Sequence, residues 1–419
     1  MKIKFCLIFS LLLFVQEIFF GYFLAEEEWT LERCISEALR RNPLILSALE
    51  EHRASLARIN QAKALPQPFL EFDSDLQPTF LNFKASEESY LGLSQALEFP
   101  GKRALKGKIA FQESNELKVE IDLLKLDLVF RVKQAFYGLL LAQEKLRLAE
   151  QDLTLSKEFL KKAELRYESG DVGRVEPLRA RVETAKAENA VKVALNEVEL
   201  GKTSLNFLLA RKKYEPLSIK GELRRAPLTL EREELRKIAL AFRPEIKMID
   251  HSLRKQELIK DLGYLSYLPD FQITISRHRL EGIPPTWDFR LSLPLPLFFW
   301  QPKRGEIAEA LANIESLKKE KEHMENSILL EVEEAYTKAM SAIHQIELFE
   351  NEILRQAEEV YNIFFFSYQE GEIGGIELIE ARRTLIEARK TYLDALYNYS
   401  ISLANLEKSL GFEFKGDQK

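Results

Sequence analysis

The chain states one plan twice. Tyr167 to Ala180 reads YESGDVGRVEPLRA and Tyr368 to Ala381 reads YQEGEIGGIELIEA, with tyrosine, both glycines, glutamate and alanine in matching places 201 residues apart. The matches continue in order along the chain. ALRRNP at Ala38–Pro43 corresponds to ALAFRP at Ala239–Pro244, again at 201; VKQAF at Val132 to VEEAY at Val332, at 200; GKIA at Gly107 to GEIA at Gly305, at 198. Ordered self-similarity over nearly all of 419 residues means two copies of one unit, and the small drift is read as differences in loop length. The expected division is 1–25 export signal, 26–210 first copy, 211–227 linker with Pro216, Gly221 and Pro227, 228–412 second copy and 413–419 tail.

Each copy carries a very long helical pattern. In the first, Leu117, Ile121, Leu124, Leu128, Val132, Ala135, Leu139, Ala142, Leu146, Ala149 and Leu153 step by three or four, continuing through Leu160, Ala163 and Tyr167. The second has Val332, Ala335, Ala339, Ala342, Ile346, Phe349, Ile353 and Val360. Seams this long predict coiled-coil packing. A helix from Arg103 to Ser169 would measure ~100 Å at 1.5 Å per residue, more than a compact domain spans. Gly170 and Gly371 can take the left-handed conformation that ends a helix, and Pro177 suits the first turn of a returning one. Each copy therefore predicts an antiparallel helical hairpin with the glycine turn as its tip.

Between the helices the period changes to two. Leu70, Phe72 and Leu76 oppose Glu71, Asp73 and Asp75; in Tyr90–Phe99, Leu91, Leu93, Leu97 and Phe99 oppose Gly92, Ser94, Ala96 and Glu98. In the second copy Phe271, Ile273 and Ile275 oppose Gln272, Thr274 and Ser276, and Trp287 through Leu297 alternates with Asp288, Arg290, Ser292, Pro294 and Pro296. Strands of about 8–11 residues fit a tilted membrane crossing, although a half-buried soluble sheet alternates in the same way. Four strands cannot close a barrel, since the smallest spanning barrels have about eight, and lipid tolerates no open edge. Strands in a membrane thus require several chains around one barrel. Its inward face would carry Glu71, Asp73, Asp75, Glu98 and Asp288 against Arg290: a wet, mildly cation-favouring lumen, or in the alternative an ordinary solvated surface.

Other classes find little support. A net charge of −6 gives no basic footprint for nucleic acid. His52, His251, His278, His323 and His344 are scattered without metal-ligand spacing, and there is no GxSxG, P-loop or strand-borne GxGxxG, so no enzyme and no cofactor is expected. Cys6 and Cys34 offer no disulfide framework, and Cys34 reads as a small buried hydrophobe. Lys2 and Lys4 followed by the apolar Phe5–Val15 resemble an export signal ending near Ala25; Phe23 departs from the small-residue rule at the cleavage site, which leaves a retained anchor as the alternative.

Taken together, the duplicated plan, the Asn42-Pro43 and Arg243-Pro244 helix starts and the tip motifs resemble the TolC-type outer-membrane efflux family from about Trp29 to Gly411. FPGKRALKGKIA (Phe99–Ala110) and PLPLF followed by KRGEIA (Pro294–Ala308) are similar to its heavy-metal, CzcC-like branch, and also occur in drug-efflux members. The resemblance implies a mainly helical chain with β: a long antiparallel coiled-coil helical barrel plus four strands contributed to a shared transmembrane β-barrel. It implies a homotrimer in outer-membrane lipid that extends into the periplasm. A periplasmic adaptor (membrane fusion) protein and an inner-membrane pump of RND type would be its partners. The tips would form a gated aperture from Gly170, Gly173, Arg174, Glu176 and Arg179 with Gly371, Gly374, Glu377 and Glu380. Ile373 stands where TolC has an arginine, so Arg174 or Arg179 pairing with Glu377 or Glu380 is the expected substitute. The function implied is a passive exit duct for small molecules or metal ions. The rival is a soluble extracytoplasmic coiled-coil structural or adaptor protein, which leaves the four symmetrically placed strands unexplained.

Overall fold

The computed structural model describes residues 28–75, 86–212, 214–225, 231–294, 297–298 and 300–411, with 300–302 as backbone only. The export signal, the tail, Leu76, Pro227 and Leu295 lie outside them.

Thr30 opens the first element, its hydroxyl accepting from Arg33 N–H at the N-terminus of α1 (Leu31–Arg41). Pro43 then starts α2 (Pro43–Ala62), and in the second copy Pro244 starts α6 (Pro244–Leu265) directly after α5 (Arg232–Phe242). Both prolines occupy a position where the missing N–H is no loss. Two strands follow, β1 (Phe69–Asp75) and β2 (Glu88–Leu97), and then the 67-residue helix α3 (Lys102–Glu168). It is succeeded by α4 (Val175–Leu208). The second copy gives β3 (Phe271–Leu280), β4 (Ile283–Ser292), α7 (Trp300–Leu348), α8 (Leu354–Glu370) and α9 (Gly375–Leu410). The four strands form one antiparallel sheet in the order β1-β2-β3-β4.

Compactness divides the chain into two units, each drawing on both copies. Of the described residues, one holds those within 28–46, 124–242 and 328–411. Its seam residues Val132, Leu139, Val332, Ala335, Ala339 and Ile346 are fully buried. Cys34 and Ala38 of α1 pack into the same core as Phe136, Leu139 and Leu205. The linker returns to the chain's start there: Trp29 N–H donates to Ser218 O at 2.8 Å and Lys220 N–H to Trp29 O at 3.0 Å. The other unit holds 47–123 and 243–327, including the sheet. In it Lys102 Nζ, at the start of α3, reaches Leu268 O and Asp270 Oδ1 at 2.7 Å each, fixing where that helix leaves the sheet.

Three sequence expectations need correction. The second strand ends at Leu97, not Phe99, because Phe99 N–H donates to Asp270 Oδ1 at 2.8 Å and Pro100 has no N–H to pair. Glu98 therefore stands beyond the sheet, paired with Lys106 at 2.6 Å. The fourth strand runs Ile283–Ser292 and stops before Pro294 rather than reaching Leu297; Pro284 and Pro285 are tolerated because they sit at the start of the strand, at a bulge where the register with β3 shifts. The third correction lies inside a helix. Between α7 and α8 the chain makes one π-helical turn, Phe349–Ile353, which accommodates an extra residue without a loop. The repeat offset steps from 200 at Val332 to 201 at Tyr368 across this turn. The seam steps with it: Val360, the expected seam position, is 42% exposed, whereas its neighbour Tyr361 is buried.

Candidate functional site

Both tip turns close in the same way. Gly170 (φ +84°) and Gly371 (φ +81°) are left-handed. At the first, Gly170 N–H donates to Tyr167 O and Asp171 N–H to Arg166 O; at the second, Gly371 N–H donates to Tyr368 O and Glu372 N–H to Ser367 O. This paired arrangement satisfies the last carbonyls of a helix and needs a residue without Cβ at its left-handed position.

The two tyrosines before these glycines differ. Tyr167 is 46% exposed, while Tyr368 is fully buried. Its hydroxyl donates to Glu176 Oε1 at 2.7 Å, its ring lies 5.3 Å from that of Phe159, and the Arg166 guanidinium stacks over it at 4.8 Å. Burial first, and then the Glu176 carboxylate, push the Tyr368 hydroxyl well above its ordinary range, so it stays a donor. Gly375 is packed tightly against the first copy: a Cβ there would meet Phe159 Cζ at 2.9 Å and Glu176 Cδ at 3.2 Å.

Glu176 is thus brought into the tip core with Gly371 close by. Gly173 lies in the open turn and Gly374 precedes α9. Arg174, Arg179, Glu377 and Glu380 are all exposed. Within the chain Glu380 pairs with Arg383 at 3.2 Å, and among the described residues no ion pair joins Arg174 or Arg179 to Glu377 or Glu380. An apolar groove of about 490 Å³ runs beside them, lined by Val175, Leu178, Val182, Ile376 and Ile379.

Sequence reasoning missed Arg382. It is buried, bonds Ser156 Oγ, and faces Glu183 Oε2 at 3.2 Å and Asp152 Oδ1 at 3.5 Å, so it ties the second copy's returning helix to both helices of the first hairpin. Arg383 adds a 2.7 Å bond to Glu183. Its signal was a charged residue on an apolar seam, one step from Ala381 and three from Leu385.

The sheet register sorts the strand residues, because directly paired residues share a face. Glu71, Asp73 and Asp75 stand opposite Gly92, Tyr90 and Glu88; these face Ser276, His278 and Leu280, and Ser276 and Thr274 face Asp288 and Arg290. The expected acidic residues on the strands and Arg290 are therefore on one face. His278, set aside in the sequence as a scattered histidine, joins them. Its Nε2 lies 2.9 Å from Glu88 Oε1, its Nδ1 3.7 Å from Asp288 Oδ2, and its ring stacks on Tyr90 at 4.2 Å. No group of three or more metal-ligating side chains is placed to hold an ion among the described residues. The opposite face carries Leu70, Phe72, Leu91, Leu93, Ile275, Trp287, Phe289 and Leu291, each at least half exposed in the single chain. No described helix is long and apolar enough to cross a membrane.

The chain resembles known proteins in sequence and in fold. The chain is 24% identical over 308 residues to the cobalt-zinc-cadmium resistance protein CzcC of Cupriavidus metallidurans, covering 72% of this chain and 70% of that one. The fold is similar to that of CusC (TM-score 0.77, 20% identity, 91% of this chain and 92% of that one) and of the outer-membrane channel OprN (0.78, 17%, 91% and 90%). The open state of the MtrE outer membrane channel of Neisseria gonorrhoeae matches equally well (0.77, 20%, 93% and 90%). Residues 34–211 and 235–412, one segment per copy, each match the family described as outer membrane efflux protein. The chain belongs to that family, whose members are channels rather than enzymes.

Proposed function

We propose that three copies of this chain assemble into one outer-membrane exit duct. Each would lend four strands to a shared barrel and two helical hairpins to a tube reaching into the periplasm. The observation that carries the proposal is the two-faced sheet: one face exposes a broad apolar surface, the other gathers Glu71, Asp73, Asp75, Glu88 and Asp288, and among the described residues both β1 and β4 have an open edge. An open edge and an exposed apolar face are both costly in isolation, and joining β4 of one chain to β1 of the next in lipid removes both. The polar face would then line a cation-favouring lumen, with Arg290 as its counter-charge.

Transport energy would come from an inner-membrane pump of RND type through a periplasmic adaptor, and passage through the duct would be passive. The tip residues would form the gate, with Tyr368–Glu176 holding the hairpins of one chain together. Arg174 and Arg179 are exposed and available to Glu377 and Glu380 of a neighbouring copy, and the Val175–Ile379 groove gives an adaptor or neighbouring helix an apolar seat. The relation to CzcC favours divalent metal ions as cargo. Paired cysteines introduced along β1 and β4 test the assembly: oxidation should give covalent dimers and trimers from the outer-membrane fraction. A soluble protein that never cross-links would instead support a coiled-coil adaptor.

A further inference from the structure

The apolar face of the sheet carries just two charged residues among those described, Arg277 and Arg279 of β3, and both are at one end. Register sets Arg277 opposite Leu91 and Trp287, and Arg279 opposite Ser89. The helices join the sheet at its other end, where Leu97 leads to α3 and α6 leads to Phe271. The arginines therefore lie beside the Glu281-Gly282 turn, the end that points away from the cell in the proposed barrel.

Both are exposed. Trp287 is 69% exposed, and the Arg277 guanidinium lies 5.7 Å from the centroid of its ring. No described carboxylate forms an ion pair with either arginine, whereas the opposite face of the same strands is rich in carboxylates. From Ile273 to Arg279 the face rises ~20 Å at ~3.3 Å per residue, apolar for the first part and cationic at the top. A guanidinium turned to hydrocarbon is costly, and a tryptophan at the same level marks the depth where apolar chains give way to headgroups. Guanidinium is also the side chain whose fork matches phosphate oxygens two at a time.

We infer that Arg277 and Arg279 form an outward clamp for the phosphate groups of the outer leaflet's phosphorylated glycolipid, lipid A, one clamp per chain. The inference rests on the barrel reading above, since only a membrane-embedded sheet brings that leaflet to this face. The clamp would set the depth of the barrel and favour its insertion in a phosphorylated leaflet.

The test uses the full-length protein purified in mild detergent, with bound lipid counted by native mass spectrometry and channel formation measured on the same preparation. Diphosphorylated lipid A should be retained at least fivefold more than its dephosphorylated form. The R277A/R279A variant should lose that preference, and R277K/R279K should keep part of it. Equal retention of the two lipids by a wild-type preparation that conducts would overturn the clamp and leave the barrel standing. Wild-type protein that neither conducts nor forms oligomers would overturn both. If the alanine variant does not assemble, the wild-type comparison between the two lipids still decides.

Discussion

The hydroxyl of Tyr368 donates to Oε1 of Glu176 at 2.7 Å, joining the last turn of a helix in one copy of the repeat to the first turn of a returning helix in the other. A hydrogen bond to a carboxylate inside a packed tip contributes about 2 kcal/mol. Tyr368→Phe and Glu176→Gln should each loosen the hairpins and raise the resting conductance. The double variant should add little beyond either single one, because both remove the same bond. Bilayer recordings of the three variants check this, and additive effects would separate the two residues.

Gly375→Ala should act at the same place by crowding. Its new Cβ would come to 2.9 Å from Phe159, and relieving such an overlap in a packed site typically costs about 1–3 kcal/mol. Hydrogen exchange should show faster opening of residues 365–380 and unchanged protection around Val132 and Val332. Gly173→Ala, where nothing lies within 4 Å, is the matched control.

The charge network behind the tip gives a pH dependence. Burial pushes the Glu183 carboxyl up, but hydrogen bonds from Lys186 and Arg383 together with their charges outweigh it and hold the group below its ordinary value. A depressed acid lends stability above its unfolded pKa, about 4.3, and loses it as pH falls toward the folded value. Asp152 has the opposite sign: burial raises its pKa against the pull of Arg382, so ionising it as pH rises costs stability. Protection of the hairpins should therefore decline on acidification below about pH 4.3, and Glu183→Gln should flatten that decline. Arg382→Met should be less harmful than Arg382→Ala, which leaves a hole as well as unpaired acids.

Deleting Asn351 from the π turn should return the second seam to the first copy's register. The turn would then wind as α-helix, and because five π residues turn about as far as four α residues, Tyr361 should stay in the seam and Tyr368 against Glu176. Unchanged resting conductance and unchanged protection of α8 are expected, and hydrogen exchange reports the second directly. Faster exchange across α8 would mean that the turn holds the tip in place beyond absorbing one residue.

Most of the fold was legible because the signals were long. The seams around Val132 and Val332, the glycines that end α3 and α8 and the alternation in four strands each repeat over many residues or appear twice. The π turn was hidden because adding one residue leaves a sequence looking helical; only the step from 200 to 201 and the exposed Val360 mark it. The tip contacts were less legible. Glu176 stood out by its place in the repeated motif, but its partner Tyr368 is the copy of an exposed tyrosine, and nothing local separates the two. Arg382, and His278 in its contacts with Glu88 and Tyr90, depend on neighbours more than 180 residues away in sequence, which periodicity does not reach.

Cys34 offers a simple check on the core. Burial pushes its thiol up to about 12, against a weaker pull from Arg211 and Arg33. A maleimide at pH 8 should leave Cys34 unlabelled in the folded protein and label it fully in denaturant, as read by peptide mapping. Rapid labelling of folded protein would contradict the packing of α1 against Leu139 and Leu205.

The most direct test of the duct is a planar-bilayer recording of the detergent-purified protein, with its oligomeric mass measured in the same preparation. The expected result is discrete, cation-favouring single-channel steps from a trimer, with selectivity lowered by Asp73→Asn and Asp288→Asn together. A water-soluble monomer or dimer without conductance would contradict the barrel and leave the coiled-coil adaptor as the better reading.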